Sequence, residues 1–159
     1  MKRILLILAP SRISSTCVDE AIEETKRRGA ELVALFVLDT AISDDVQTRL
    51  QDAGFLGEAP SGQFIDAMRR EQERQGRGEL ERIEEAAKSL GVAIRTEFVV
   101  GEFVQRSLEA ARQESAEAIF VARRDRPRLS RLVGGSPINE LKSTAPCAVL
   151  VHNGEEAEG

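Results

Sequence analysis

Uninterrupted apolar runs of strand length, separated by segments of helical periodicity, constrain this chain more than any other feature. Ile4 to Ala9 is wholly apolar and is stopped by Pro10, and Leu32 to Leu38 is wholly apolar again. A strand with one face in solvent alternates, so a run without polar residues reads as a strand covered on both faces. Between the two runs Cys17, Val18, Ala21 and Ile22 recur at helical spacing. Ser14 and Ser15 are candidate caps, Lys26, Arg27 and Arg28 suit the negative end of the helix dipole, and Gly29 is the stop. Two buried strands joined by a helix make a parallel β-α-β unit with a right-handed crossover, which sets the α/β class.

From Thr40 to Gly62 the composition turns polar, with a short helix predicted around Val46 to Leu50. Phe64 to Leu90 reads as a helix with Phe64, Met68, Leu80, Ile83, Ala87 and Leu90 as its inner stripe, Gly91 as its stop, and Gly76 and Gly78 as candidate breakers. Its dense Glu and Arg content reads as a solvated face of paired charges rather than a binding surface. Val92 to Val100 alternates in part, as an outer strand does. Phe103, Val104, Leu108 and Ala111 mark a helix, Ala118 to Val121 a buried strand, Ile138 and Leu141 a short helix, and Cys147 to Val151 a last strand. No repeat or linker interrupts this order. The expectation is one doubly wound five-stranded parallel sheet with helices on both faces, over residues 1–152, followed by a disordered acidic tail at 153–159.

The 159 residues suit one domain with a real core. No apolar run approaches the roughly 20 residues of a membrane span, and Ile4 to Ala9 is too short for a signal-peptide core. A soluble, cytoplasmic protein without a membrane partner is therefore expected. The net charge of −5 argues against indiscriminate nucleic-acid binding, although a local basic cluster can still attract an anion. Cys17 and Cys147 lack metal-ligand spacing and read as structural thiols. His152 is the only histidine, and neither a phosphate-binding P-loop, a nucleophile elbow nor a zinc-protease motif occurs. No catalytic residue and no metal ligand is assigned.

One segment does have the grammar of a phosphate site. Gly134-Gly135-Ser136 runs into a helix opened by Pro137, where free amides and the positive dipole end favour an anion. Arg123, Arg124, Arg126, Arg128 and Arg131 precede it, and arginine grips phosphate in a bidentate manner. The competing readings are ordinary: a solvated basic loop, and a Ser-Pro pair that suits the start of any helix. Ser11, Ser14, Ser15 and Thr16 follow the first strand, where hydroxyls commonly cap the next helix.

ILLILAPS at Ile4 to Ser11, GAELVALFVLD at Gly29 to Asp39, VVGEFVQRSLEAA at Val99 to Ala111 and LSRLVGGSPINELKSTAPCAVLVH at Leu129 to His152 resemble the universal stress protein family. This family belongs to the adenine nucleotide α-hydrolase-like superfamily, and the resemblance runs from Lys2 to His152. It implies strand order 3-2-1-4-5. Nucleotide-binding members are similar to G-x2-G-x9-G-[ST] after strand four, with an aspartate ending strand one that faces the ribose or base. On that pattern Ala122 and Asp125 stand at the first two glycines, Gly135 and Ser136 are kept, and Ala9 stands at the aspartate. Asp125 repels a polyphosphate, and the lost glycines remove freedom to take positive φ. The superfamily's pyrophosphatases carry a Gly-rich SGGxDS-like loop after strand one, and SRISST has neither its glycines nor its aspartate.

The resemblance thus implies a regulatory, stress-response module with a degenerate nucleotide motif, acting through an unidentified protein partner and without a cofactor. The alternative is an adenine nucleotide (ATP or AMP) or phosphate-anion module, with Gly135, Ser136, Arg124, Arg126 and Ser11 as contacts. A slow nucleotide hydrolase is the third reading. The apolar Cys147–Val151 strand would lie at a sheet edge, a liability unless paired. The resemblance implies that it pairs with a second copy in a twofold homodimer.

Overall fold

The apolar runs become the middle of a sheet because only there are both faces of a strand covered. The computed structural model describes residues 1–39, 62–123 and 137–152. β1 (Arg3–Leu8) and β2 (Glu31–Leu38) are buried from their second residue onward. With β3 (Ala93–Val100), β4 (Ala118–Ala122) and β5 (Ala148–His152) they form one parallel sheet in the order β3-β2-β1-β4-β5. Both the class and the strand order agree with the sequence reading.

Register divides the strand residues between two cores. Leu5 lies beside Val33 on one neighbour and Ile119 on the other. Ile4, Leu6, Leu8, Ala34, Phe36 and Phe120 pack with α1 (Ser15–Arg28) and α2 (Gly62–Ser89). Leu5, Ile7, Ala9, Val33, Val37, Ile119 and Val121 pack with α3 (Phe103–Glu114) and α4 (Pro137–Thr144). A period-two pattern with both phases apolar is what a strand between two helical layers requires.

Of the candidate hydroxyls, Ser14 caps α1, its Oγ accepting from the Cys17 amide at 3.3 Å. Gly29 ends the helix with φ of 61°, its own N–H reaching the Lys26 carbonyl at 3.1 Å. The positive φ suits glycine because it has no Cβ to clash.

α2 runs through Gly76 and Gly78 without a break. Gly76 is a packing position: a Cβ there would lie 2.7 Å from Cε1 of Phe36. The Phe36 ring stacks on Phe98 at 5.5 Å between centroids, and the Arg77 guanidinium covers Phe98 at 4.6 Å. Leu80, Ile83 and Ala87 are buried as the stripe predicts, and Met68 is half-buried. Phe64 and Leu90 are corrected, being 50% and 48% exposed. Ile65, about five turns before Ile83 at about 3.6 residues per turn, shares its azimuth and is the inward residue. Leu90 lies past the end of the helix, where the chain turns at Gly91. Arg74–Glu71, Arg77–Glu73 and Lys88–Glu84 pair along the exposed face.

β3 is half-buried, and among the described residues β5 pairs only with β4, so these are the outer strands. The predicted helix at 46–50 and the tail at 153–159 lie outside the described residues. Among the described residues no helix is long and apolar enough to cross a membrane.

Candidate functional site

A doubly wound sheet leaves a crevice at the carboxyl ends of its strands, where the connections depart to opposite sides. Here that point falls between β1 and β4, which are neighbours although α1, β2, α2, β3 and α3 separate them in the chain. Ala9, at the end of β1, is buried and presents only a methyl group. Its carbonyl accepts from the Arg12 amide at 2.9 Å, which makes the tight turn holding Ser11 half-buried at the mouth.

Arg12 itself points inward and is 6% exposed. Its Nη1 donates to the Ala122 carbonyl at the end of β4 at 3.2 Å, and the guanidinium lies 4.8 Å over the Phe103 ring. A buried guanidinium persists only where hydrogen bonds and an aromatic face replace its water, and both are supplied here.

Beside Phe103 opens a cleft of about 540 Å³, lined by Asp39, Glu102, Phe103, Val104, Pro137, Asn139, Glu140 and Ser143. Asp39 follows β2, residues 102–104 start α3, and the rest come from α4. The first amides of a helix are ready donors for an anion. In α3 they are already engaged: Phe103 donates to Asp39 Oδ2 at 3.1 Å, Val104 to Glu102 Oε1 at 3.3 Å, and Gln105 to Glu102 Oε2 at 2.6 Å. With Glu140 added, the lining carries three carboxylates and no basic side chain among the described residues. This wall repels phosphate and holds its own caps.

Of the residues singled out in the sequence, Ser11 and Ala122 are brought to the crevice. Arg124, Asp125, Arg126, Arg128, Arg131, Gly134, Gly135 and Ser136 lie outside the described residues. Arg123 extends the β4–β5 pairing by donating its amide to the His152 carbonyl at 2.8 Å. His152 Nε2 lies 3.8 Å from Glu20. Burial, and then the charge of Glu20, push the Cys17 thiol up to about 12, and burial raises Cys147 as well. Neither cysteine therefore has thiolate character at neutral pH. Among the described residues no group of three or more His, Cys, Asp or Glu side chains converges as a metal site.

Sequence reasoning missed Arg12, because an arginine in a loop is read as exposed by default. It also missed the capping pair Asp39 and Glu102, for which the only signal was an acidic residue directly before the Phe103-Val104 start of a helix.

The family model described as Universal stress protein family matches residues 1–152. The chain is 27% identical over 149 residues to Universal stress protein YxiE of Bacillus subtilis, covering 94% of this chain and 97% of that protein. Universal stress protein UspA from Lactobacillus plantarum superposes with a TM-score of 0.67 at 19% identity, over 96% of this chain and 97% of that one. The universal stress protein from Archaeoglobus fulgidus in complex with dAMP gives 0.58 at 14% identity, over 96% and 98%. The two structural likenesses show the fold.

Proposed function

The chain belongs to the universal stress protein family, and from that premise we propose that it is a cytoplasmic stress-response module that acts through protein contacts, as a homodimer, and not through turnover of a nucleotide. The observation that carries this reading is the furnishing of the crevice. Ala9 ends β1 where nucleotide-binding members resemble one another in carrying aspartate, and a methyl group accepts or donates nothing. The α3 amides on the neighbouring wall are taken by the chain's own carboxylates. In the sequence, Asp125 puts a negative charge where the family motif has glycine.

The homodimer is supported by β5. Among the described residues this strand has one edge unpaired, and it exposes Ala148 and Leu150, the latter by 43%. An apolar, open strand edge is a template for a second strand, and a twofold axis lets the same edge serve both copies. Sedimentation equilibrium tests this: native protein is expected at twice the chain mass and Leu150→Lys at the monomer mass, whereas a native monomer removes the dimer from the account.

A second reading is favoured by one observation, the dAMP complex of a protein with the same fold. In it the chain binds ATP, AMP or phosphate through Gly135, Ser136, Arg124, Arg126 and Ser11. Calorimetric titration of native protein and Asp125→Gly with these ligands, at low and moderate salt, separates the two. Heat from native protein favours the second reading, and heat from the variant alone favours the first. Nucleotide turnover that is abolished by Ser136→Ala would instead bring back the hydrolase.

A further inference from the structure

We propose that Arg12 closes the crevice from within, and that this one side chain excludes the nucleoside part of an adenine nucleotide. The inference rests on the reading of the crevice as one that admits no nucleotide, and names what shuts it.

The side chain is held from both ends of its loop. The Arg12 amide is tied to the Ala9 carbonyl, and two residues later Ser14 is fixed as the cap of α1. Between these anchors the Arg12 side chain runs over the carboxyl edge of the sheet. There its guanidinium spans the crevice, from the Ala122 carbonyl on β4 to the face of Phe103 at the start of α3. Those two contacts are what an incoming purine would seek in the same place: a main-chain acceptor for an amino group and an aromatic face for a ring. The guanidinium is planar, delocalised and rich in donors, so it imitates both properties. A ligand ring would have to displace it and leave it a new set of partners, because an ion this deeply buried cannot be left without them.

Phe103 belongs both to the Arg12 contact and to the lining of the open cleft. Phe103 thus stands between the Arg12 guanidinium and the cleft. That cleft also holds the capped carboxylates Asp39 and Glu102. Its chemistry suits a neutral nucleoside more than a phosphate.

The test is calorimetric titration of native protein and Arg12→Ala with adenosine and with AMP, with far-UV circular dichroism of both. Native protein is expected to be silent, and folded Arg12→Ala to bind adenosine, with an affinity at least about tenfold above any native binding. A folded but silent Arg12→Ala overturns the role of Arg12 and leaves the proposed function standing. Native binding that is unchanged or weakened in Arg12→Ala overturns both, since Arg12 is then irrelevant to the ligand or one of its contacts. Should Arg12→Ala fail to fold, the exchange of the Arg12 guanidinium N–H groups in native protein decides. Protection that persists in millimolar AMP supports the closure, and exchange as fast as that of the exposed Arg74 overturns it.

Discussion

Alanine substitutions at Gly76 and Gly78, two residues apart in α2, are expected to change stability in opposite directions. Alanine in a helix interior gains about 1 kcal/mol over glycine, and at Gly78 nothing lies within 4 Å of the added Cβ, so Gly78→Ala should recover that gain. At Gly76 the new carbon would meet three atoms of the Phe36 ring at 2.7, 2.8 and 2.9 Å. Carbon atoms in contact need about 3.5–4.0 Å. Phe36 is fully buried and stacked on Phe98, which Arg77 covers, so the ring cannot retreat without moving the next two groups. Overpacking of this kind costs about 1–3 kcal/mol, which leaves Gly76→Ala destabilised by up to about 2 kcal/mol after the propensity gain. Thermal melts and urea titrations of both variants measure the difference, at roughly 2–4 °C per kcal/mol for a chain of this size. Equal stabilisation by the two substitutions would refute the close approach of helix and ring.

Three further outcomes follow from the packing and charge of the fold. Because the folded state raises the Cys17 thiol from 9.0 to about 12, its neutral form is favoured on folding; that contribution is intact below pH 9 and is lost as pH rises towards 12. Native protein should therefore lose stability more steeply than Cys17→Ala over that window, and prompt alkylation of native Cys17 at pH 8 would contradict its burial. Glu102→Ala removes the cap of α3 and should cost about 1 kcal/mol in chemical denaturation, with an unaltered midpoint as the opposing result. Glu114 pairs with both Arg3 and Arg95 at the amino-terminal end of the sheet, so Glu114→Ala is expected to lose about 1–2 kcal/mol, and more at low than at high salt. An identical loss at all ionic strengths would assign the effect to packing.

The parts of this fold that were readable in the chain are those where one local cause acts alone. β1, β2 and β4 have both faces covered, and continuous apolar runs have few other meanings. Ser14 and Gly29 bound α1 through contacts within a few residues. Where the cause lies elsewhere in the chain, local reading went astray. Gly76 resembles a helix breaker, and Phe36, from a strand distant in the chain, supplies the reason for a missing side chain. Phe64 was assigned inward on hydrophobicity, although Ile65 has the azimuth that meets the sheet. The site was least legible, because Ala9, Arg12, Asp39, Phe103 and Ala122 come from the ends of separate elements and only the strand order brings them together. Arg12 shows the limit most plainly: its residue type predicts solvent, whereas the Ala122 carbonyl and the Phe103 ring, both distant in the chain, hold it inside.

The central claim, a crevice that does not take a nucleotide, is tested most directly by the melting temperature of native protein with and without millimolar ATP or AMP. A ligand that binds only the folded state adds about 2.7 kcal/mol of stability at one hundred times its dissociation constant, a shift of several degrees here. The account predicts coincident melts in buffer, ATP and AMP. A rise of several degrees with either nucleotide would contradict it and make this chain a nucleotide-binding member of its family.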